Sequence, residues 1–552
     1  MPATYNAAMS AAYRRLLARP RPQDGKDSAS SVVGDPRRLR EWRDALPLAN
    51  TASAGRSLLE HVRALDVQRV PPQRRLDALE QLRPVLAQLT GALDRQVIGG
   101  GFPLSAQQAA LGDLAGALQD GFAGACRAVL VDLTGPDGTM PFLRGRMVAQ
   151  AAVRALQHGV GSLAHACLLY QVPARGAWQE LHDLHALAVE LGVDAREVPD
   201  TAGTGVSSAH GCYLQALLFA VANPYAFSQR EQLEVAMIAR ALAPHARLSA
   251  SADGGVAVPV DRDRGPGYAS HERDAAAPGD VSLDVSKALS VAGELLARTH
   301  GAQALVMHLP DGTPFEVDGG LLRRVLANLA VRGEREHARI GGGHALATVI
   351  GLHDVHAVLA GPDARDPFEQ HLGSPLGPAA AARWQGTSIR SGAPRVARVL
   401  DQALGGYRLL WQGVAGGEGT RARVGEVVGL ALPASGGADW MVGAIRWLRI
   451  DGNGGIECGI QLLARRALAA WVRLPEEPSR ILSGVLLADL DATPLDGYAG
   501  LLVSTELDRE PAALEVATPE DTSGLPRAAG HLRVDHPALE ASGIAYRIFR
   551  MP

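Results

Sequence analysis

Two different apolar rhythms divide this chain, and no single layer of secondary structure can serve both. Across residues 57 to 246 apolar side chains return every three or four positions. Leu76, Leu79, Leu82, Leu86, Leu89 and Leu93 make one stripe along a long helix that contains Pro84. Past residue 340 the spacing shortens. Apolar runs at 423 to 432, 439 to 450 and 454 to 465 are parted by the turn clusters 433–437 (PASGG) and 451–455 (DGNGG), the pattern of an antiparallel meander.

Further helices are expected at about 106–131, 145–171, 174–192, 208–222 and 228–243. The last opens with Ser228 and Glu231, which read as a capping box just after the turn Asn223-Pro224. Residues 249–283 are rich in Gly, Pro and Asp, with a strand candidate at 256–260, and read as a linker or surface excursion before a helical pair at about 284–300 and 318–332. Residues 340 to 360 turn to β character, and strands are expected near 497–504 and 543–549. Residues 1–50 lack the apolar periodicity that offsets ordering entropy and read as a mobile tail.

The fold expectation is therefore an α+β multidomain chain. A mainly helical scaffold (51–333), an all-α bundle or irregular helical array without a fixed repeat, precedes an antiparallel β region (334–475) and a small β-containing C-terminal segment (476–552).

Composition narrows the function classes. With 552 residues, 47% of them apolar, the chain has ample material for several cores. Residues 335 to 475 hold 15 Arg against 11 Asp plus Glu, a surplus of +4 within a chain whose net charge is −4. That balance suits a small anionic ligand and is too dilute for a nucleic-acid binder. Lysine occurs only at 26 and 287, so the positive charge is almost all guanidinium. Cys126, Cys167, Cys212 and Cys458 show neither zinc spacing nor a disulfide framework. The longest apolar run, Cys212 to Ala222, is too short to span a bilayer, and the N-terminus lacks a signal-peptide core; a cytoplasmic protein is expected.

One pair of elements carries chemistry. Arg335 and Arg339 form R-x-x-x-R ahead of the β region, and Asp401, Ala403 and Gly406 form D-x-A-x-x-G within it. A guanidinium can fork onto a phosphate or onto guanine O6 and N7, and a carboxylate can accept from guanine N1 and N2. Glycine lets a backbone approach a ring closely. In order and chemistry these elements, together with the runs Val442 to Trp447 and Glu457 to Leu463, resemble the PilZ domain, the bacterial module that senses cyclic di-GMP.

The resemblance covers about a quarter of the chain, roughly 334 to 475. It implies a six-stranded antiparallel barrel with Arg335, Arg339, Asp401, Ala403 and Gly406 converging at its mouth on cyclic di-GMP. It further implies a non-enzymatic effector, with no cofactor and no metal, that passes second-messenger level to a protein partner through the helical region. The output would be control of motility, attachment or exopolysaccharide production. A hinge at Gly341 to Gly343 would close as the ligand orders the arginines.

Two departures stand out. Ala403 occupies the position of the family's serine, and one lost neutral hydrogen bond costs about 0.5–1.5 kcal/mol. The interval from Arg339 to Asp401 is longer than usual and implies an insertion around 361–392, so Arg395 and Arg398, just before Asp401, are an alternative nucleotide-binding pair. The alternative function is a protein-interaction scaffold whose degenerate barrel binds no nucleotide.

Other constellations point elsewhere only weakly. His182 and His185, with Asp183 between them, lack a third partner at zinc spacing and read as solvated on a helix surface. His344, His353, Asp354 and His356 read as strand-face or loop groups without an activated nucleophile beside them. Gly341 to Gly343 lack the P-loop lysine, and Ser207 and Ser208 lack a nucleophile elbow. Trp411, Trp440 and Trp447 are expected to pack the barrel.

Overall fold

The computed structural model describes residues 10–20, 35–67, 70–200, 205–249, 256–268, 279–298, 304–330, 339–361, 368, 394–412, 421–433, 439–451, 454–488, 498–507, 510–518 and 531–551. Two units emerge. The first holds 1–99, 105–224 and 229–335; the second holds 100–104, 225–228 and 336–552.

The first unit is built on helices α1 (Ala11–Ala18), α2 (Pro36–Asp44), α3 (Thr51–Val67), α4 (Pro72–Val97), α5 (Ala106–Thr134), α6 (Gly145–Leu168), α7 (Ala177–Glu190), α8 (Ala209–Val221) and α9 (Gln229–Leu242). The six leucines of the predicted stripe are all buried along α4, with Pro84 inside the helix. The central α5 packs against α3, α4 and α6, while α8 bridges α6 and α9. Helices approach closely where side chains are small: a Cβ on Gly159 would stand 2.8 Å from Leu181 and one on Gly112 2.9 Å from Leu169. The boundary read at Ser228 falls where α9 begins, although Glu231 is ion-paired with Arg324.

An ion-pair network crosses this helical core. Arg154, fully buried, donates to both Glu80 oxygens at 2.7 and 3.1 Å and to the Pro199 carbonyl at 2.6 Å, and Arg83 reaches Asp200 at 2.9 Å. Charges this deep are tolerated because each finds a carboxylate and further acceptors.

Two expectations for this unit are corrected. The N-terminal segment read as a mobile tail contains α1 and α2. Helix α1 buries Tyr13 and Leu16, and Arg15 forks onto Asp183 at 2.6 to 3.1 Å, so eight residues gain enough contact to stay ordered. The stretch read as a linker carries a sheet: β3 (Arg247–Ser249), β4 (Val256–Val258), β5 (Gly267–Tyr268) and β6 (Val281–Asp284), in the order β3-β6-β4-β5. A two-residue pair, β1 (Val198–Pro199) and β2 (Val206–Ser207), precedes it. Helices α10 (Ser286–Arg298) and α11 (Gly319–Leu329) flank the hairpin of β7 (Ala304–His308) and β8 (Pro314–Asp318).

The second unit begins with the barrel. Its strands are β9 (Ile340–Gly341), β10 (Ala345–Ile350), β11 (Arg395–Ala403), β12 (Gly406–Trp411), β13 (Val427–Ala431), β14 (Met441–Ile450) and β15 (Ile456–Ala464). The order β10-β13-β14-β15-β12-β11 closes through β10–β11, giving six antiparallel strands in a cylinder, with β9 added on β11. Closure removes the exposed edges that an open sheet of this length would present. Helix α12 (Leu352–Ala360) follows β10, so the β character read for 340 to 360 stops at Ile350. A nine-residue apolar segment cannot be assigned by periodicity alone, and here Val355 and His356 face the core as a helix.

The C-terminal segment is larger than expected. Strand β16 (Ala467–Arg473), read as the end of the barrel, instead leads a second seven-stranded antiparallel sheet with β17 (Ile481–Ala488), β18 (Tyr498–Ser504), β19 (Ala513–Ala517), β20 (His531–Asp535), β21 (Leu539–Ser542) and β22 (Tyr546–Arg550). One apolar core joins the two sheets: Val349, Val427 and Val442 of the barrel pack with Val485, Leu502, Tyr546 and Ile548. A separate cluster, including Leu468, Leu501, Leu514 and Phe549, serves the second sheet alone.

Candidate nucleotide-binding face of the barrel

Strand alternation decides which side chains this face can offer. On β12 and β15, Tyr407, Leu409 and Trp411 stand opposite Ile460, Cys458 and Ile456, the inward set, while Arg408 and Leu410 stand opposite Gly459 and Glu457. On β14, Trp447 and Arg449 face the same Gly459 and Glu457. The outward wall over three neighbouring strands is therefore charged around a backbone-lined patch.

Asp401 is the acidic centre of this wall. It follows a bulge on β11 between Val399 and Asp401, which re-aims its carboxylate toward β12. Its Oδ1 accepts from Arg339 Nη1 at 2.8 Å and its Oδ2 from Arg408 Nη1 at 3.4 Å. Arg408 Nε donates to Glu457 Oε1 at 2.7 Å, and Arg449 Nη2 donates to Glu457 Oε2 at 3.2 Å. A ladder of alternating charge, Arg339–Asp401–Arg408–Glu457–Arg449, thus runs across β11, β12, β15 and β14. Hydrogen bonding to Glu457 is the largest influence on Arg408 and raises its pKa, partial burial opposes this, and the Asp401 charge adds to the rise.

The predicted residues fall as follows. Arg339 and Asp401 meet. Arg335 lies outside the described residues, as does nearly all of the insertion around 361–392. Ala403 pairs with Gly406 across the tight turn Leu404-Gly405, and its methyl brings no hydroxyl to the wall. Gly406 has a structural reason for being glycine: a Cβ there would collide with the Ile460 carbonyl of β15. Arg395 and Arg398 lie on β11 before the bulge, and Arg398 stands exposed opposite Ala345 and Leu410. Among the described residues the ion-pair partners of Asp401 are Arg339 and Arg408.

The ladder lies on the barrel's outward wall, and its Asp401 end stands two residues before the β11–β12 turn. The hinge expected at Gly341 to Gly343 is instead zipped to β11: Gly342 donates to Leu400 O at 3.0 Å and Gly343 to Val399 O at 2.8 Å. A Cβ on Gly342 would strike the Val399 carbonyl, so glycine serves close backbone approach here. Trp411 and Trp440 are buried as expected. Trp447 is half-buried on the outward wall, its indole over Gly459 where a Cβ would collide with Nε1.

Arg408, Glu457 and Arg449 were not legible as site residues. Their alternation along each strand was visible, but nothing local says that β12 lies beside β15.

The other candidates resolve into structure. His182 is buried, not solvated. Its Nδ1 meets the Tyr213 hydroxyl at 2.6 Å and its Nε2 the Arg264 carbonyl at 2.9 Å, because α7 turns this face into the core. His185 meets His210 at 3.0 Å and stacks on Tyr213. His353, Asp354 and His356 lie on α12 rather than on a strand, with His356 edge-on to Trp471. Ser208 caps α8. Among the described residues no group of three His, Cys, Asp or Glu side chains could hold a metal, and no helix is long and apolar enough to cross a membrane.

The family described as "Cyclic-di-GMP receptor FimW, N-terminal domain" matches residues 37–253, and "Cyclic-di-GMP receptor FimW, middle PilZ domain" matches residues 380–468. The chain is 25% identical to the Cyclic-di-GMP receptor FimW of Pseudomonas aeruginosa over 534 residues, covering 85% of this chain and 84% of that protein. No solved structure matches significantly. With these matches spanning more than half of its length and the six-stranded barrel where the second of them falls, the chain belongs to the PilZ-domain family, as a member with a long helical N-terminal region.

Proposed function

We propose that this chain is a receptor for cyclic di-GMP that acts by binding, without a catalytic step. The observation that carries the reading is the Asp401 carboxylate on the barrel wall, 2.8 Å from Arg339 and 3.4 Å from Arg408. An acceptor between cations suits a guanine that donates from N1 and N2 while its phosphodiester seeks guanidinium. The likeness to the Pseudomonas cyclic-di-GMP receptor and the PilZ match of residues 380–468 support the same ligand. Arg335, four residues before Arg339, is the second arginine of the proposed lead-in.

The response is proposed to be a change of state in that lead-in, which a cyclic dinucleotide drives to the extent that it binds one arrangement better than the other. A protein partner on the helical unit would read it, with motility, attachment or exopolysaccharide production as output and the cytoplasm as the place of action.

Calorimetric titration of the intact chain with cyclic di-GMP tests the reading, beside Asp401→Ala and an Arg335→Ala/Arg339→Ala double variant. Saturable heat in the intact chain that is lost or weakened in both variants is expected. An intact chain that gives no heat at high micromolar ligand would leave the scaffold function standing in its place.

A further inference from the structure

On the reading that cyclic di-GMP binds at Asp401, we propose that Arg408 is the residue that makes the site choose guanine over adenine, and that the buried Glu457 is the positioning residue that aims it. A guanine edge presents two donors, N2 and N1, beside two acceptors, O6 and N7; adenine puts an amino donor where guanine has O6. Asp401 can accept from N1 and N2, and the Arg408 fork, 3.4 Å from it, can donate to O6 and N7; on adenine each would meet one group of the wrong kind, the unprotonated N1 for Asp401 and the N6 amino group for Arg408.

The guanidinium is suited to this. Its Nε is committed to Glu457 at 2.7 Å, its Nη1 makes only the long contact to Asp401, and no bond from its Nη2 is present among the described residues. The two terminal nitrogens therefore form a fork whose plane is fixed from behind while the side chain stays 35% exposed. Glu457 can hold it because its own carboxylate is only 9% exposed and is gripped from the other side by Arg449. The opposing position on β15 is Gly459, which has no side chain of its own, and the indole of Trp447 lies over it beside the fork.

The fork geometry distinguishes Arg408 from Arg339. Arg339 lies at the end of the lead-in, reaches Asp401 through Nη1 and is 43% exposed, which suits it to a phosphate; Arg408 is seated in the sheet, which suits it to a base edge.

The test compares affinities of the full-length chain for cyclic di-GMP and cyclic di-AMP. The intact chain is expected to prefer the guanine ligand. Arg408→Ala is expected to lower cyclic di-GMP affinity by about ten- to a hundredfold, the range for one bidentate base contact, while leaving cyclic di-AMP unchanged, so that the preference collapses. Arg408→Lys, which keeps the charge and loses the fork, is expected to lose most of the preference, and Glu457→Gln part of it. The ratio of affinities does not depend on the folded fraction, so a destabilised variant still reports. Arg408→Ala with an intact guanine preference overturns the proposal and leaves the receptor reading standing. An intact chain that binds neither dinucleotide removes the receptor reading itself.

Discussion

At the scale of single residues, the barrel wall separates positions that serve close packing from positions free to act on a ligand. Gly406 belongs to the first kind. Its missing Cβ lets β12 start beneath the Ile460 carbonyl, so Gly406→Ala must part β12 from β15 or strain the turn. We expect a loss of about 1–3 kcal/mol, read as a lower unfolding midpoint of the second unit, with Gly405→Ala, which meets open space, close to neutral. Equal effects from the two would contradict this. Asp401 belongs to the second kind, and its type was readable because a carboxylate near paired arginines is specific chemistry. Arg408 was not, since in a chain whose positive charge is almost entirely arginine a lone Arg carries no signal until its neighbours on other strands are known.

At the scale of elements, local pattern succeeded where an element's own sequence decides it. The leucine stripe of α4 placed a helix because the 3.6-residue period is a property of one segment. Pattern failed where the partner decides: the apolar run from Leu352 to Ala360 folds as a helix against β13 and β16, and β16 joins the second sheet although it follows β15 directly. The helical core depends on partners in the same way. Arg154 is fully buried and its charge is met by Glu80, so Glu80→Ala leaves both Arg154 and Arg83 without that carboxylate. A loss of about 3–5 kcal/mol is expected in denaturant unfolding followed by helical circular dichroism, since removing one member of a buried ion pair strands the other. A shift below about 1 kcal/mol would show that water or Asp200 satisfies the arginines instead.

At the scale of the whole molecule, burial sets both how the chain can be divided and how it responds to acid. The barrel shares an apolar core with β17, β18 and β22, so a fragment ending at residue 475 exposes Val349, Val427 and Val442. We expect residues 336–475 to aggregate or bind a hydrophobic dye while 336–552 remains folded. A monomeric, cooperatively melting 336–475 would refute that dependence. The histidines supply the acid response. Burial, the largest cause, lowers the pKa of His158 and His185 to about 3 and of His61 and His356 to about 4, from an ordinary 6.5.

The unfolded chain therefore binds protons that the folded chain refuses, and stability falls as pH drops from about 6.5 toward 3–4. The His185–His210 contact adds to this, because protonating whichever ring nitrogen accepts sets two donors face to face. His165 acts the other way: burial opposes its charge, but Asp94 and the Gly112 carbonyl outweigh it and raise its pKa. One raised histidine against seven lowered ones among the described residues leaves the sign unchanged. A thermal midpoint that falls steadily from pH 7.5 to 5 is expected, and a flat profile would contradict it.

Periodicity and residue chemistry are written within short segments, and so the order of helices before an antiparallel β region, and a carboxylate flanked by arginine within that region, could be read directly. Folding alone puts Arg408 and Glu457 on one wall with Asp401, binds the glycines after Arg339 to β11, and makes the last eighty-odd residues complete a core rather than trail from it. Those outcomes depend on which strands lie side by side, and strand pairing is fixed by burial summed over distant parts of the chain.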